Sequence, residues 1–268
     1  MSVDRYAVIG NPVAHSLSPR IHAMFAEITG QELEYFRLHS PTDGFDRSVT
    51  EFFDDGGQGL SVTAPFKSDA FRWVDQTDPL AQESAAVNTI ARRNGRMVGY
   101  NTDGLGLVQD LRRLGWLAKE VKILILGAGG ASGGILGPLM REECRVTVAN
   151  RTESKLSNLK ERFPNLSTVP LKQVEGQWDI VINATSAFLR KQSLNVNSSI
   201  MFNARCYDLG YQPDGLTSFV VESRRWSARE VSDGLGMLVF QAAEAFKFWR
   251  NVELDAEVLS KVLSSMRS

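Results

Sequence analysis

Cysteine and histidine are scarce in this chain, and each shortage removes a class of protein. Cysteine occurs twice in 268 residues, at Cys144 and Cys206, each within an apolar, strand-like run. Two thiols cannot build a disulfide framework, so both are expected as free core thiols in a reducing cytoplasm. Histidine occurs three times, at His15, His22 and His39. No Cys/His cluster has the spacing of a zinc site, so no metal is expected. His15 and His22 read as structural residues satisfied by the backbone. An excess of either charge is also missing: 30 Lys and Arg against 31 Asp and Glu leave a formal charge of −1. There is no basic footprint, and no nucleic-acid partner is expected. No apolar run approaches the ~18 residues of a membrane helix, so no membrane partner is expected either. The opening MSVDRYAVIG has no charged-then-apolar signal region and reads directly as a strand, which fits a cytoplasmic protein.

What is present is an alternation of strands and helices, the pattern of an α/β protein with largely parallel sheets. At this length two domains are expected. Arg5–Gly10 reads as a strand, and Ser18-Pro19 as a helix start with Ser18 as N-cap. Strands follow near Leu33–Leu38 and Gly59–Thr63, with helices at Gly44–Asp54 and Lys67–Val74. Val87–Ala91 and Met97–Tyr100 form strands joined by an Asn94-Gly95 turn. Asp103 opens an amphipathic helix, after which a fresh strand–helix series begins: Val121–Leu126, a helix to Met140, Cys144–Ala149, Thr152–Arg162, Asp179–Asn183, Arg205–Leu209 and Gly215–Trp226. The domain boundary is placed at the Asp103 helix. Two closing helices, Gly234–Trp249 and Leu254–Met266, have no strand between them.

The stretch VKILILGAGGASGG is a buried strand, a glycine turn and a helix. Glycines let the backbone approach a pyrophosphate, and the helix start offers free N–H groups and the positive end of its dipole. The strict G-x-G-x-x-G spacing is not met, because Ser132 stands at the third position. The next strand ends at Asn150-Arg151-Thr152, where an NAD-binding protein usually carries an acidic residue. Arg151, with Lys155 one turn on, suits a 2′-phosphate instead. NADP is therefore the expected cofactor.

Polar residues gather at strand ends in the first half: Gly10–Pro19, Ser61–Lys67, Asn88-Thr89 and Asn101–Asp103. Open α/β sheets bind ligands beyond the carboxyl ends of their strands, so these positions can form one pocket for a small polyhydroxylated substrate. With GNPVAHSLSP, SVTAPFK, AAVNT, NTDG, GAGGA, NRT, NATS and DGLGMLVFQAAEAF in order from Tyr6 to Trp249, the chain resembles the shikimate dehydrogenases, which reduce 3-dehydroshikimate. The resemblance implies two α/β domains joined by helices around a cleft. Residues 1–102 with 235–268 would form a substrate-binding and catalytic domain, and 103–234 a Rossmann-type NADP domain. Lys67 and Asp103 would be the catalytic pair. Ser16 and Ser18 would hold the substrate carboxylate; Thr63, Asn88 and Gln241 would hold its hydroxyls. Gly127, Gly129, Gly130 and Ala131 would cradle the pyrophosphate, while Asn150, Arg151 and Thr152, with Lys155 nearby, would meet the 2′-phosphate.

The chain departs from the family at Ser61, where Asn is usual beside the substrate, and at Ala187–Lys191, where small residues usually follow NATS. Ketone reduction places negative charge on the carbonyl oxygen, and a lysine beside a carboxylate can donate the proton that neutralises it. The expected protein is a monomer or homodimer in aromatic amino acid precursor synthesis. The alternatives are a relative with altered preference for quinate or NAD, or a non-catalytic NADP sensor.

Overall fold

The computed structural model describes residues 3–185 and 196–267. The chain divides into two compact units. The first comprises the chain as far as Gly106 together with Leu238–Met266, and the second Leu107–Met237 with Arg267. The boundaries fall inside helices α5 (Asp103–Arg113) and α9 (Leu235–Arg250). The first turn of α5 thus belongs to unit 1, whereas a boundary before Asp103 would assign it to unit 2.

Unit 1 is built on β1 (Asp4–Gly10), α1 (Ser18–Thr29), β2 (Leu33–His39), α2 (Phe45–Asp54), β3 (Gly57–Val62), α3 (Lys67–Trp73), β4 (Gln76–Thr77), α4 (Pro79–Ser84), β5 (Thr89–Arg93) and β6 (Arg96–Tyr100). Its sheet has the order β2-β1-β3-β5-β6-β4. This sheet is mixed rather than largely parallel, because the β5–β6 hairpin sets β5 antiparallel to both neighbours. Asn94 and Gly95 both take positive φ, at 50° and 76°, in the turn of that hairpin, a geometry Asn-Gly favours. Ala7, Ile9, Leu60 and Val62 face one side and pack with Phe45, Val49, Phe52 and Phe53 of α2. On the other side Tyr6, Tyr35 and Gly59 lie in register across β1, β2 and β3. Trp249 of α9 rests there: its ring is 4.9 Å from Tyr6, its Nε1 donates to Ile90 O at 2.9 Å, and a Cβ at Gly59 would stand 2.3 Å from that nitrogen. Helix α10 (Ala256–Arg267) follows α9.

Unit 2 contains β7 (Lys122–Leu126), α6 (Gly130–Met140), β8 (Arg145–Asn150), α7 (Glu153–Arg162), β9 (Ser167–Pro170), β10 (Ile180–Asn183), β11 (Arg205–Asp208), α8 (Ser218–Arg225) and β12 (Glu230–Ser232). Its strands lie in the order β12-β11-β10-β7-β8-β9, every pair parallel. This is the doubly wound nucleotide-binding order, and strand order reverses between β7 and β10. Among the described residues no helix is long and apolar enough to cross a membrane.

Four sequence readings need correction. Leu17, not Ser18, occupies the N-cap of α1; Ser18 is the first helical residue, and the amide of Ser18 donates to Ser16 Oγ at 3.3 Å. Cys144 is only half-buried just ahead of β8, whereas Cys206 is a core thiol. The short elements β4, α4, β9 and β12 escape the sequence reading because none carries a full period of apolar residues. His22 is fully buried, yet neither ring nitrogen has a hydrogen-bond partner among the described residues, so no described backbone group satisfies it. Its ring instead stacks on Tyr35 at 4.3 Å and 8° and touches Phe25, Phe246 and Trp249.

Burial of His22 lowers its pKa from 6.5 to about 3. The unfolded chain therefore binds a proton that the folded chain refuses between those values. Stability is fully present above pH 6.5 and is lost as pH falls toward 3, by about 2 kcal/mol at pH 5. Asp208, raised by burial to about 6, works in the opposite direction over part of that range. The difference between wild type and His22→Phe isolates the histidine. Urea unfolding from pH 7.5 to 4.5 should show a shallower acid loss in the variant; parallel curves would place the acid sensitivity elsewhere.

Candidate active site

Strand direction gathers the polar residues of unit 1. β1, β3 and β6 end, and β5 begins, at the same sheet edge, with Ser61 opposite Thr89 and Thr89 opposite Tyr100. The loops after β1 and β3 meet there, Asn11 N donating to Ala64 O at 3.1 Å. Gly10 is required at this meeting, since a Cβ would lie 2.4 Å from the methyl of Thr63.

Lys67 starts α3 and Asp103 starts α5, and Lys67 Nζ donates to Asp103 Oδ2 at 2.5 Å. The pair is sheltered, with side-chain exposures of 19% and 7%. Asn88 organises it. Its Nδ2 donates to Asp103 Oδ1 at 2.8 Å, to Thr102 Oγ1 at 2.8 Å and to Gln241 Oε1 at 3.3 Å. Its Oδ1 accepts from the amide of Thr102 at 2.9 Å. The amide of Asp103 donates to Asn101 Oδ1 at 3.1 Å. Asn101 and Thr102 thus place the acid, a role the sequence reading left unassigned.

A second group lies on the α1 side of the same sheet. Ser16 Oγ donates to Ser18 Oγ at 3.2 Å, beside the start of α1. Arg37 holds this loop through two bonds to Ser16 O, at 2.6 and 3.1 Å. Tyr35, which sequence reasoning missed because it reads as one more aromatic strand residue, donates to Ser61 Oγ at 2.8 Å. Thr63 follows Ser61, and its hydroxyl makes no bond among the described residues.

In unit 2 the glycine turn follows β7. Gly127 has φ 111°, and a Cβ there would meet Ala184 O at 3.1 Å, so only glycine fits without strain. Around Gly129 and Gly130 a Cβ would meet nothing within 4 Å among the described residues, which leaves their backbone approachable at the start of α6, where Ala131 follows. Ser132 fills the third motif position and closes the turn, donating to Gly127 O at 2.7 Å. Asn150 ties this turn to the next loop, accepting from Ala128 N at 3.3 Å and donating to Thr152 O at 2.9 Å. Arg151 and Lys155 are exposed, and neither forms an ion pair among the described residues. An open backbone cradle at a helix start, with two uncommitted cations beyond it, fits a dinucleotide carrying an extra phosphate. The Ala187–Lys191 departure lies outside the described residues.

Three family models match in chain order: "Shikimate dehydrogenase substrate binding domain" over residues 8–90, "Shikimate / quinate 5-dehydrogenase" over 111–198, and "Shikimate 5'-dehydrogenase C-terminal domain" over 234–263. A relative from Pasteurella multocida, "Shikimate dehydrogenase (NADP(+))", is 42% identical over 96% of this chain and 98% of its own length. The chain belongs to the shikimate dehydrogenase family. Among solved structures, the Ael1 enzyme of Pseudomonas putida has a TM-score of 0.89 at 38% identity, covering 97% of this chain and 98% of that one. Shikimate 5-dehydrogenase of Thermus thermophilus, solved with NADP(H) and shikimate, has a TM-score of 0.85 at 31% identity, covering 98% and 99%.

Asn88→Ala removes a donor from Asp103 and an acceptor from the Thr102 amide, all three residues being buried. Urea unfolding is expected to register a loss of about 1–3 kcal/mol. A loss within about 0.5 kcal/mol would mean that the network holds without its centre.

Proposed function

We propose that this chain reduces 3-dehydroshikimate to shikimate reversibly, with NADPH as reductant. Family membership and the Lys67–Asp103 pair support this reading, the pair being the single observation that carries it. The bound cofactor supplies the hydride. Ser16 and Ser18, at the start of α1, hold the substrate carboxylate, where the positive end of the dipole of a 12-residue helix favours an anion. Thr63, Asn88, Gln241 and Ser61 hold the ring hydroxyls. The Lys67–Asp103 pair keeps a proton at Lys67 Nζ for the oxygen that becomes negative and takes it back in the reverse direction. Such general acid–base work contributes ~10²–10⁴ in rate. Gly127, Gly129, Gly130 and Ala131 cradle the pyrophosphate. Arg151 and Lys155 take the 2′-phosphate, while Asn150 and Thr152 shape the loop that presents Arg151. The setting is a reducing cytoplasm, with the protein a monomer or homodimer.

Appearance of the NADPH absorbance with shikimate and NADP tests the activity. Running quinate and NAD in parallel tests the preference; absence of turnover beside tight NADPH binding would favour a sensor. Lys67→Ala should lower kcat by ~10²–10⁴ and leave NADP binding nearly unchanged. Retention of a third of the wild-type kcat would remove Lys67 from proton transfer.

Arg151→Ala removes a charge-assisted contact worth about 1.5–3 kcal/mol. The KM for NADP should rise roughly 10- to 150-fold, and that for NAD should barely move. Equal losses with both nucleotides would make Arg151 a residue of the fold.

A further inference from the structure

Four hydroxyls of unit 1 pair in twos, Ser16 with Ser18 and Tyr35 with Ser61. Ser16 Oγ donates to Ser18 Oγ at 3.2 Å, and Tyr35 donates to Ser61 Oγ at 2.8 Å. The Tyr35–Ser61 bond ties the aromatic face of the sheet to a position assigned above to the substrate. Tyr35 reaches Ser61 across one strand, from β2 over β1 to β3. Its ring cannot turn freely, because it lies flat against buried His22 at 4.3 Å and meets Trp249 at a tilt, at 6.2 Å.

A hydroxyl has one proton and two lone pairs. With the Tyr35 proton on Ser61 Oγ, one lone pair of Ser61 is taken. Its own proton must then point elsewhere, as a donor. An unassisted serine would rotate among its rotamers and present either a donor or an acceptor. An asparagine at 61 would present both through a longer side chain. The tyrosine makes up part of that difference by fixing which role serine plays. Ser61 is itself 7% exposed, so a bond lost there is not readily replaced by bulk water.

We propose that Tyr35 is a positioning residue for substrate: its hydroxyl, carried on a ring stacked against His22, fixes Ser61 as a hydrogen-bond donor to a substrate oxygen. Tyr35 touches no reacting atom and acts only through Ser61. The inference rests on the shikimate reading given above.

The test is a double-mutant cycle of Tyr35→Phe and Ser61→Ala, read as steady-state constants for shikimate and NADP. Phenylalanine keeps the stack on His22 and deletes only the hydroxyl. Tyr35→Phe should raise the shikimate KM by about 2- to 12-fold, the range one hydrogen bond allows, with kcat within about twofold and the NADP KM unmoved. Ser61→Ala should do the same, and the double variant should be no worse than Ser61→Ala alone. An unchanged shikimate KM in Tyr35→Phe, or fully multiplicative effects in the double variant, overturns the inference. A parallel fall in kcat and loss of NADP affinity would show a structural role and overturn it equally. Wild-type protein that turns over neither shikimate nor quinate would instead bring down the functional reading, and this inference with it.

Discussion

Asn88 uses its backbone and its side chain for two different tasks. Its carbonyl accepts from Val62 N at 2.7 Å and its amide donates to Tyr100 O at 3.0 Å, which locks the ends of β3 and β6 together. Its side chain then reaches Asp103, Thr102 and Gln241. Sheet register and site geometry are therefore set by one residue. If the strands slipped by one position, every side chain on them would change face, and Lys67 and Asp103 would lose their common edge. Both members of the pair begin helices that start directly beyond these strands, so the sheet fixes where each helix starts.

Much of this arrangement was legible in the sequence. Strand and helix alternation gave the α/β class, the glycine run after VKILIL gave the nucleotide turn, and Asn94-Gly95 gave the hairpin. Polar residues clustered just past apolar strands marked the site, because such positions have no reason to be polar for folding alone. Periodicity could not show that β5 and β6 turn the first sheet mixed, since a hairpin and a crossover can carry the same apolar alternation. It could not show which polar residues bond to one another either. Asn150 illustrates the limit: the sequence places it near a nucleotide, while the structure occupies both ends of its amide in joining two loops of the chain.

Tyr35 and His22 were hidden for a different reason. Aromatic residues at strand and helix positions are ordinarily core, and here they are core. Their chemistry comes from what the packing denies them. His22 has no partner for either nitrogen among the described residues, and Tyr35 finds its partner on a strand that is not its neighbour. Ser18 shows the reverse: a residue with a strong local expectation as a helix cap is the first helical residue instead, and Ser16 takes up its amide. Local signals located the elements, but the distribution of hydrogen bonds is a property of the assembled sheet.

The seat of Trp249 on Gly59 has a consequence for how the protein is made. Chains emerge from the ribosome N-terminus first, at roughly 5–20 residues per second. Residues 3–106 of unit 1 are therefore complete well before the helix that covers Tyr6 and Tyr35 exists, and Leu107–Met237 of unit 2 is synthesised in the interval. During those seconds Tyr6 and the notch at Gly59 lack their cover from Trp249, while Tyr35 already has His22 of α1 to pack against. The nascent chain must hold that face out of contact with other chains until residue 249 arrives, so the first unit to be synthesised is the last to be finished.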